Sequence, residues 1–378
     1  MVEFSKEELE RYSRHLIIPE FNIEGQRKLK QAKVLVVGTG GLGSPLLLYL
    51  SAAGVGEIGI LDFDVVDETN LQRQVLFTVE DVGESKAETA KKRLERLNPH
   101  IKFNVHNVQL TSENALDIIK DYDIVADGTD NFPTRYLVND ACVLLGKTNV
   151  YASIFRFEGQ VSVFNYKDQE GNRGPNYRDL FPSPPPPGLV PSCAEGGVIG
   201  VLPGILGSLQ ASEVIKVISG VGEPLSGRLF LIDTLTFETR TLKLHKQKDA
   251  EPITELIDYE HFCGIGVPEK EKDAVKEVTV QELESLFNKG NVQLIDVREP
   301  YEYEIANIGG ELIPLADVEE AVDKISSDKQ VVIHCRSGVR SAKAIRALEK
   351  KYGFTNLYNL KGGILAWANE IDAEMATY

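Results

Sequence analysis

Short continuous apolar runs alternate with segments of helical spacing along the first half of the chain. Lys33-Val-Leu-Val-Val-Gly38 reads as a strand buried on both faces, as parallel strands are. It runs into Gly38-Thr-Gly-Gly-Leu-Gly43, after which Leu46, Leu47, Leu50 and Ala53 recur at helical spacing up to Gly54. Glu57-Ile-Gly-Ile-Leu-Asp62 predicts a second strand ending in an acid. A helix over 84–97 and strands over 101–105 and 123–126 continue the alternation, and 161–164 and 228–233 add strands of antiparallel type. Residues 5–30 form a helical start, with Ser5 and Glu8 spaced as a capping box. This is βαβ order, so the fold class is α/β with a Rossmann-like, mostly parallel sheet. Residues 246–276 are charge-dense and read as a linker. A fresh α/β pattern begins at Val278, with strands over 293–296 and 331–334 and a helix over 341–352. The boundaries predicted are therefore 1–245, a linker over 246–276, and 277–378.

Length agrees with two domains, since 378 residues exceed one ordinary domain. The net charge is −16 (41 basic against 57 acidic residues), which argues against nucleic-acid binding. Four cysteines cannot build a disulfide framework. The stretch 196–212 is broken by Pro203 and glycines and is too short for a bilayer, so no membrane association is expected. The expected location is the cytoplasm.

Gly38-x-Gly-x-x-Gly43 between strand and helix presents backbone N–H groups to a phosphate. Asp62 lies 24 residues beyond Gly38, near the spacing of a ribose-binding acid. These two features alone fit a dinucleotide enzyme or a tight structural turn. Thr69-Asn-Leu-Gln-Arg-Gln74, Lys86 and Asp127-Gly-Thr-Asp130-Asn131 add two cations and carboxylates at strand ends. Hydride transfer has no need of them. Nucleotidyl transfer does, because Arg73 and Lys86 can neutralise a triphosphate and Asp130 can hold Mg²⁺.

With Arg11-Tyr-Ser-Arg-His15 and the run Pro191–Gly204, which contains Cys193, residues 5–245 resemble the ubiquitin-activating-type adenylyltransferases of the MoeB/ThiF group. The resemblance implies that ATP activates the C-terminal glycine carboxylate of a small ubiquitin-like sulfur-carrier protein ending in Gly-Gly. It places Gly38, Gly40, Gly41, Gly43, Asp62, Asp64, Thr69, Asn70, Leu71, Gln72, Arg73, Lys86, Asp130 and Asn131 around ATP, with Arg73 and Asp130 catalytic. Arg14 is implied to reach the site of a second subunit, hence a homodimer, and Cys193 to take part in thiol chemistry. One departure stands out. Family members commonly bind zinc through two Cys-x-x-Cys pairs, where this chain has Asn176-Tyr-Arg-Asp179 and, near 250, no cysteine. Zinc is expected to be absent, with packing near 182–187 in its place.

Cys335 follows an apolar strand in His334-Cys-Arg-Ser-Gly-Val-Arg-Ser341, so its loop N–H groups can cradle a sulfur anion at a helix N-terminus. Arg336 and Arg340 are expected to add positive charge and favour the thiolate. A Cys-x5-Arg phosphatase loop would need arginine at 341, which is serine. Together with Asp296–Glu302 and Asn359–Trp367, the loop Cys335, Arg336, Ser337, Gly338, Val339 and Arg340 resembles that of a rhodanese sulfurtransferase domain carrying a persulfide. Ala306-Asn-Ile departs from the usual Gly-His-Ile. The two-part architecture resembles the molybdopterin-synthase adenylyltransferase/sulfurtransferase proteins. It implies carboxylate adenylation, then transfer of sulfur from thiosulfate or a cysteine desulfurase to give a thiocarboxylate. The acceptor could serve molybdopterin, thiamin, cysteine or tRNA thiolation. Alternatives are an adenylating tRNA dehydratase, which has no use for a rhodanese domain, and a non-catalytic module that senses ATP and docks a ubiquitin-like partner.

Overall fold

The computed structural model describes residues 3–185, 196–264 and 275–378, apart from the Asn288 side chain. Cys193 and residues 186–187 lie outside the described residues. The chain divides into two compact units, Met1–Gly266 and Val267–Tyr378.

In the first unit, strands β1 (Lys33–Val37), β2 (Glu57–Leu61), β3 (Lys102–His106), β4 (Ile124–Asp127) and β5 (Thr148–Phe155) are parallel. Strands β6 (Glu158–Phe164), β7 (Arg228–Asp233) and β8 (Glu238–Lys243) extend the sheet antiparallel, giving the order β3-β2-β1-β4-β5-β6-β7-β8. The period of two along a strand explains why the β1 run is apolar throughout. Val34 and Val36 face a core with Leu46, Leu50 and Leu94, while Leu35 and Val37 face another with Leu137, Val138 and Ala141. The N-terminal helix begins as the Ser5 capping box requires, with Glu8 N–H on Ser5 Oγ and Ser5 N–H on the Glu8 carboxylate. The apolar helix Val201–Ser219 packs on β5 and on the helix Gly43–Ala53. Its buried Gln210 donates to the carbonyls of Asp127 and Val150, both at 2.8 Å.

The first part of the expected linker behaves otherwise. Residues 246–264 lie in the first unit, and Tyr259, Cys263 and Phe262 join its core. The Tyr259 hydroxyl donates to Asp140 Oδ2 (2.8 Å), and Ser112 Oγ donates to the Ile257 carbonyl (2.7 Å). Charge density misled the sequence reading. The apolar positions between the charges find their partners more than a hundred residues upstream.

The second unit is a five-stranded parallel sheet ordered β11-β10-β12-β13-β9, formed by Glu277–Val278 (β9), Val292–Asp296 (β10), Glu311–Leu312 (β11), Gln330–His334 (β12) and Leu357–Leu360 (β13). Val331 and Ile333 face one core and Val332 the other, so this sheet too is covered on both faces. At the ends of β10 and β12, Asp296, Arg298 and His334 are fully buried. The Arg298 guanidinium is held by both Asp296 oxygens, the shortest bond being 2.6 Å. Neither His334 nitrogen finds a hydrogen-bond partner among the described residues. Burial, against the pull of Asp296 at 3.6 Å, pushes the imidazole down to about 4.

A histidine depressed in the folded state takes its proton later than in the unfolded chain. The stability this lends is complete above the unfolded value near 6.5 and is lost as pH falls toward 4. From pH 7 to pH 5 the second unit is expected to lose about 2 kcal/mol through this residue. Urea unfolding followed by the single tryptophan, Trp367, reports on this unit. His334→Leu should flatten the dependence, and an unchanged slope would contradict the assignment.

Candidate active sites

A cavity of about 920 Å³ opens where β1, β2 and β4 end. Ligands of open parallel sheets sit at such carboxyl edges. Gly38 leaves β1 with φ +88°, and a Cβ at Gly43 would lie 2.0 Å from the Gly38 carbonyl oxygen. No side chain fits at position 43. The helix Gly43–Ala53 therefore starts directly under the loop, and its N-terminal dipole favours an anion there. Asp62 fixes the loop: its Oδ2 accepts from Thr39 N–H (2.8 Å) and Thr39 Oγ (2.7 Å), and its Oδ1 from Asp64 N–H (2.9 Å).

Of the residues singled out in the sequence, Gly38, Gly40, Gly41, Asp62, Asp64, Asn70, Arg73, Asp130 and Asn131 line the cavity. Gly43, Thr69, Leu71, Gln72, Lys86 and the exposed Arg14 are not part of this lining. Lys86 is buried and reaches the Asp64 carboxylate at 3.0 Å. Arg73 donates to Asn70 Oδ1 (3.2 Å) and the Thr69 carbonyl (3.4 Å), and no carboxylate pairs with it among the described residues. Its charge is left for an anion. The helix Phe132–Leu144 follows Asp130, and Asn131 Oδ1 caps it by accepting from Thr134 N–H (3.0 Å). Asp130 is exposed. The neighbouring Asp127 is buried and its carboxyl is pushed up by that burial, while Thr129 donates to it from both N–H (2.9 Å) and Oγ (2.6 Å). It shapes the turn that presents Asp130.

The sequence did not reveal the rest of the wall. Ser112, Arg135, and Leu256 to Glu260 also line the cavity. The signal was the apolar set Ile253, Leu256, Ile257, Tyr259 and Phe262 inside the charged tract.

At the place of the missing zinc pairs the structure shows a polar clamp. Asn176 and Asp179 form a capping box, and Asp179 also accepts from Gln247, at its carboxylate (2.8 Å) and its carbonyl (3.1 Å). Arg178 forks onto the buried Asp140 at 2.8 and 2.7 Å. The segments are thus tied by hydrogen bonds between 179 and 247, while the expected packing over 182–187 falls partly outside the described residues. Among the described residues no cluster of three His, Cys, Asp or Glu is placed to hold a metal. Cys142 and Cys263 are buried thiols pushed up by burial.

In the second unit Cys335 is buried between β12 and the helix Val339–Tyr352. Its Sγ accepts from Gly338 N–H (3.2 Å) and Ser341 Oγ (3.4 Å). Gly338 has φ +98°. A Cβ at Gly363 would lie 2.5 Å from the Cys335 carbonyl, and Ile364 N–H donates to that same oxygen (2.9 Å). Ser337 is half-buried and Val339 is exposed. Arg340 differs from expectation. It makes a two-pronged pair with Glu302, both bonds at 2.6 Å, so its charge is matched before it reaches the sulfur. The helix N-terminus and Arg336 remain to favour a sulfur anion.

Comparison with known proteins places each unit in a family. The ThiF family model matches residues 12–253, and the rhodanese-like domain model matches residues 279–370. A probable adenylyltransferase/sulfurtransferase MoeZ of Mycobacterium tuberculosis is 51% identical over 99% of this chain and 96% of its own. A sulfur carrier protein adenylyltransferase of Thermus thermophilus is 54% identical, over 69% of this chain and 99% of that protein. An adenylyltransferase and sulfurtransferase MOCS3 of Culex quinquefasciatus is 43% identical over the whole of this chain and 91% of its own. Among solved structures, E. coli MccB with ATP is 25% identical with a TM-score of 0.52, covering 64% of this chain and 72% of that one. The chain belongs to the ThiF family, in the form joined to a rhodanese-like domain, and is an adenylyltransferase and sulfurtransferase.

Proposed function

We propose that the first unit binds ATP in the cavity above Gly38–Gly43 and adenylates the C-terminal glycine of a ubiquitin-like sulfur carrier. The observation that carries this reading is the pairing pattern: among the described residues no carboxylate pairs with Arg73, and Asp130 stands exposed at the cavity wall. A carboxylate is a poor acyl donor until one oxygen becomes part of a good leaving group. Its attack on the α-phosphorus of ATP expels pyrophosphate and leaves an acyl-adenylate. Arg73, and Lys86 once a phosphate competes for it with Asp64, offset the charge on the departing pyrophosphate. Asp130 is the residue to hold Mg²⁺, which would neutralise phosphate oxygens. Arg14 serves the site of a second copy.

The second unit carries the sulfur. Cys335 thiolate takes the outer sulfur of thiosulfate, releasing sulfite, or receives it from a desulfurase. The terminal persulfide sulfur attacks the acyl carbon of the adenylate and AMP leaves. A second thiolate then attacks the Cys335 sulfur, which frees the thiocarboxylate and leaves a disulfide for an external dithiol to reduce. Cys193, outside the described residues, is the candidate for that thiolate. The Asp179–Gln247 clamp supports a protein that holds no zinc.

Pyrophosphate exchange should require ATP, Mg²⁺ and a carrier ending in Gly-Gly. Asp130→Ala should lower its rate by a factor on the order of 10²–10³, whereas Cys335→Ala should leave it near wild type. Undiminished exchange in folded Asp130→Ala protein would sink the role given to that carboxylate. Elemental analysis of protein purified without added metal should find well below one zinc per chain, and stoichiometric zinc would overturn the clamp reading.

A further inference from the structure

The residue at the mouth of the sulfur loop that neither motif contains is Tyr378. Its main-chain oxygen accepts from Arg336 Nε (2.5 Å), and its ring lies 5.7 Å from the Arg336 guanidinium and 5.8 Å from that of Arg298. Its hydroxyl accepts from Arg298 Nη1 and donates to Glu302 Oε1 (3.2 Å). Two ion pairs meet at that one hydroxyl. On one side Arg298 sits in the buried pair with Asp296, and its remaining donors go to the carbonyls of Ala306 (2.7 Å) and Glu302 (3.3 Å). On the other side Glu302 receives both prongs of Arg340. Burial raises the phenol to about 12 and keeps it neutral, able to accept from one pair and donate to the other.

The consequence falls on Arg336 and Arg340, the two cations of the loop around Cys335. A flexible arginine gives up rotamer freedom when it binds an anion, and one already seated does not. Tyr378 seats Arg336 directly by its main-chain oxygen and ring, and seats Arg340 through Glu302. We infer that Tyr378 is a positioning residue for sulfur uptake, holding Arg336 at the mouth of the Cys335 loop to receive an anionic sulfur donor while its hydroxyl fixes the Glu302–Arg340 pair beside it. This rests on Cys335 being the sulfur-accepting thiol. In the reaction Cys335 thiolate attacks the outer sulfur of thiosulfate, the S–S bond breaks with its electron pair leaving on sulfite, and cyanide then removes the sulfur as thiocyanate.

The full chain is assayed with thiosulfate and cyanide, with kcat and KM determined separately. Tyr378→Ala should raise KM for thiosulfate roughly tenfold, the scale of a lost ring contact to a cation together with the hydroxyl bridge, with kcat changed less than about twofold. Both variants keep the main-chain oxygen on Arg336; Tyr378→Phe also keeps the ring and loses only the hydroxyl bridge, so its KM should lie between wild type and Tyr378→Ala. Trp367 fluorescence confirms that each variant is folded. KM values unchanged in both variants would overturn the inference, and so would a lower KM in Tyr378→Ala, which would mean that the residue obstructs the loop. Cys335→Ala separates the two claims. If it abolishes thiocyanate formation while the Tyr378 variants behave as wild type, the sulfur assignment stands and the positioning role falls. If it stays active, the sulfur assignment itself falls.

Discussion

The carbonyl oxygen of Gly38 occupies the place where residue 43 would carry a Cβ, and the first unit is arranged around that closeness. Only glycine allows the chain to leave β1, turn, and enter a helix within five residues while its N–H groups stay open to the cavity. Thr39 and Asp62 then pin the turn to the end of β2. The second unit repeats the device with other residues. Gly363 packs against the carbonyls of Cys335 and Arg336, and neighbouring N–H groups tie the sulfur loop down. In both units a backbone contact that tolerates no side chain holds the loop that leads from strand to helix.

Charge pairing separates scaffold from chemistry. Asp296–Arg298 is buried and closed, as is Asp140 with Arg178 and Tyr259. Breaking such a pair leaves an uncompensated charge, typically at a cost of about 3–5 kcal/mol, so these groups belong to the fold. Lys86 and Arg340 stand between, each matched to an acid at a site edge. Among the described residues Arg73 bonds to neutral acceptors, and it faces the cavity.

What the sequence disclosed was local. The runs of β1, β2, β10 and β12 are mostly apolar on both alternating faces because both are buried, and the glycine and cysteine loops follow β1 and β12 directly. What it concealed depends on partners far along the chain. Leu256, Ile257 and Tyr259 lie in a charged tract and become a cavity wall only through Ser112 and Asp140. Arg340 looked like a free cation until Glu302, 38 residues earlier, closed on it. Tyr378 belongs to no pattern at all, since its bonds go to residues 42, 76 and 80 positions away. The Asp179–Gln247 clamp is of the same kind, two ordinary polar residues 68 positions apart.

Mass spectrometry of the carrier bears most directly on the central claim that one chain both activates a carboxylate and supplies sulfur from Cys335. The carrier ending in Gly-Gly is incubated with the wild-type chain, ATP, Mg²⁺, thiosulfate and a dithiol. It should gain one sulfur in place of one oxygen at its C-terminus, and the same mixture with Cys335→Ala should leave it unchanged. Sulfur incorporation of equal extent with Cys335→Ala would contradict the account.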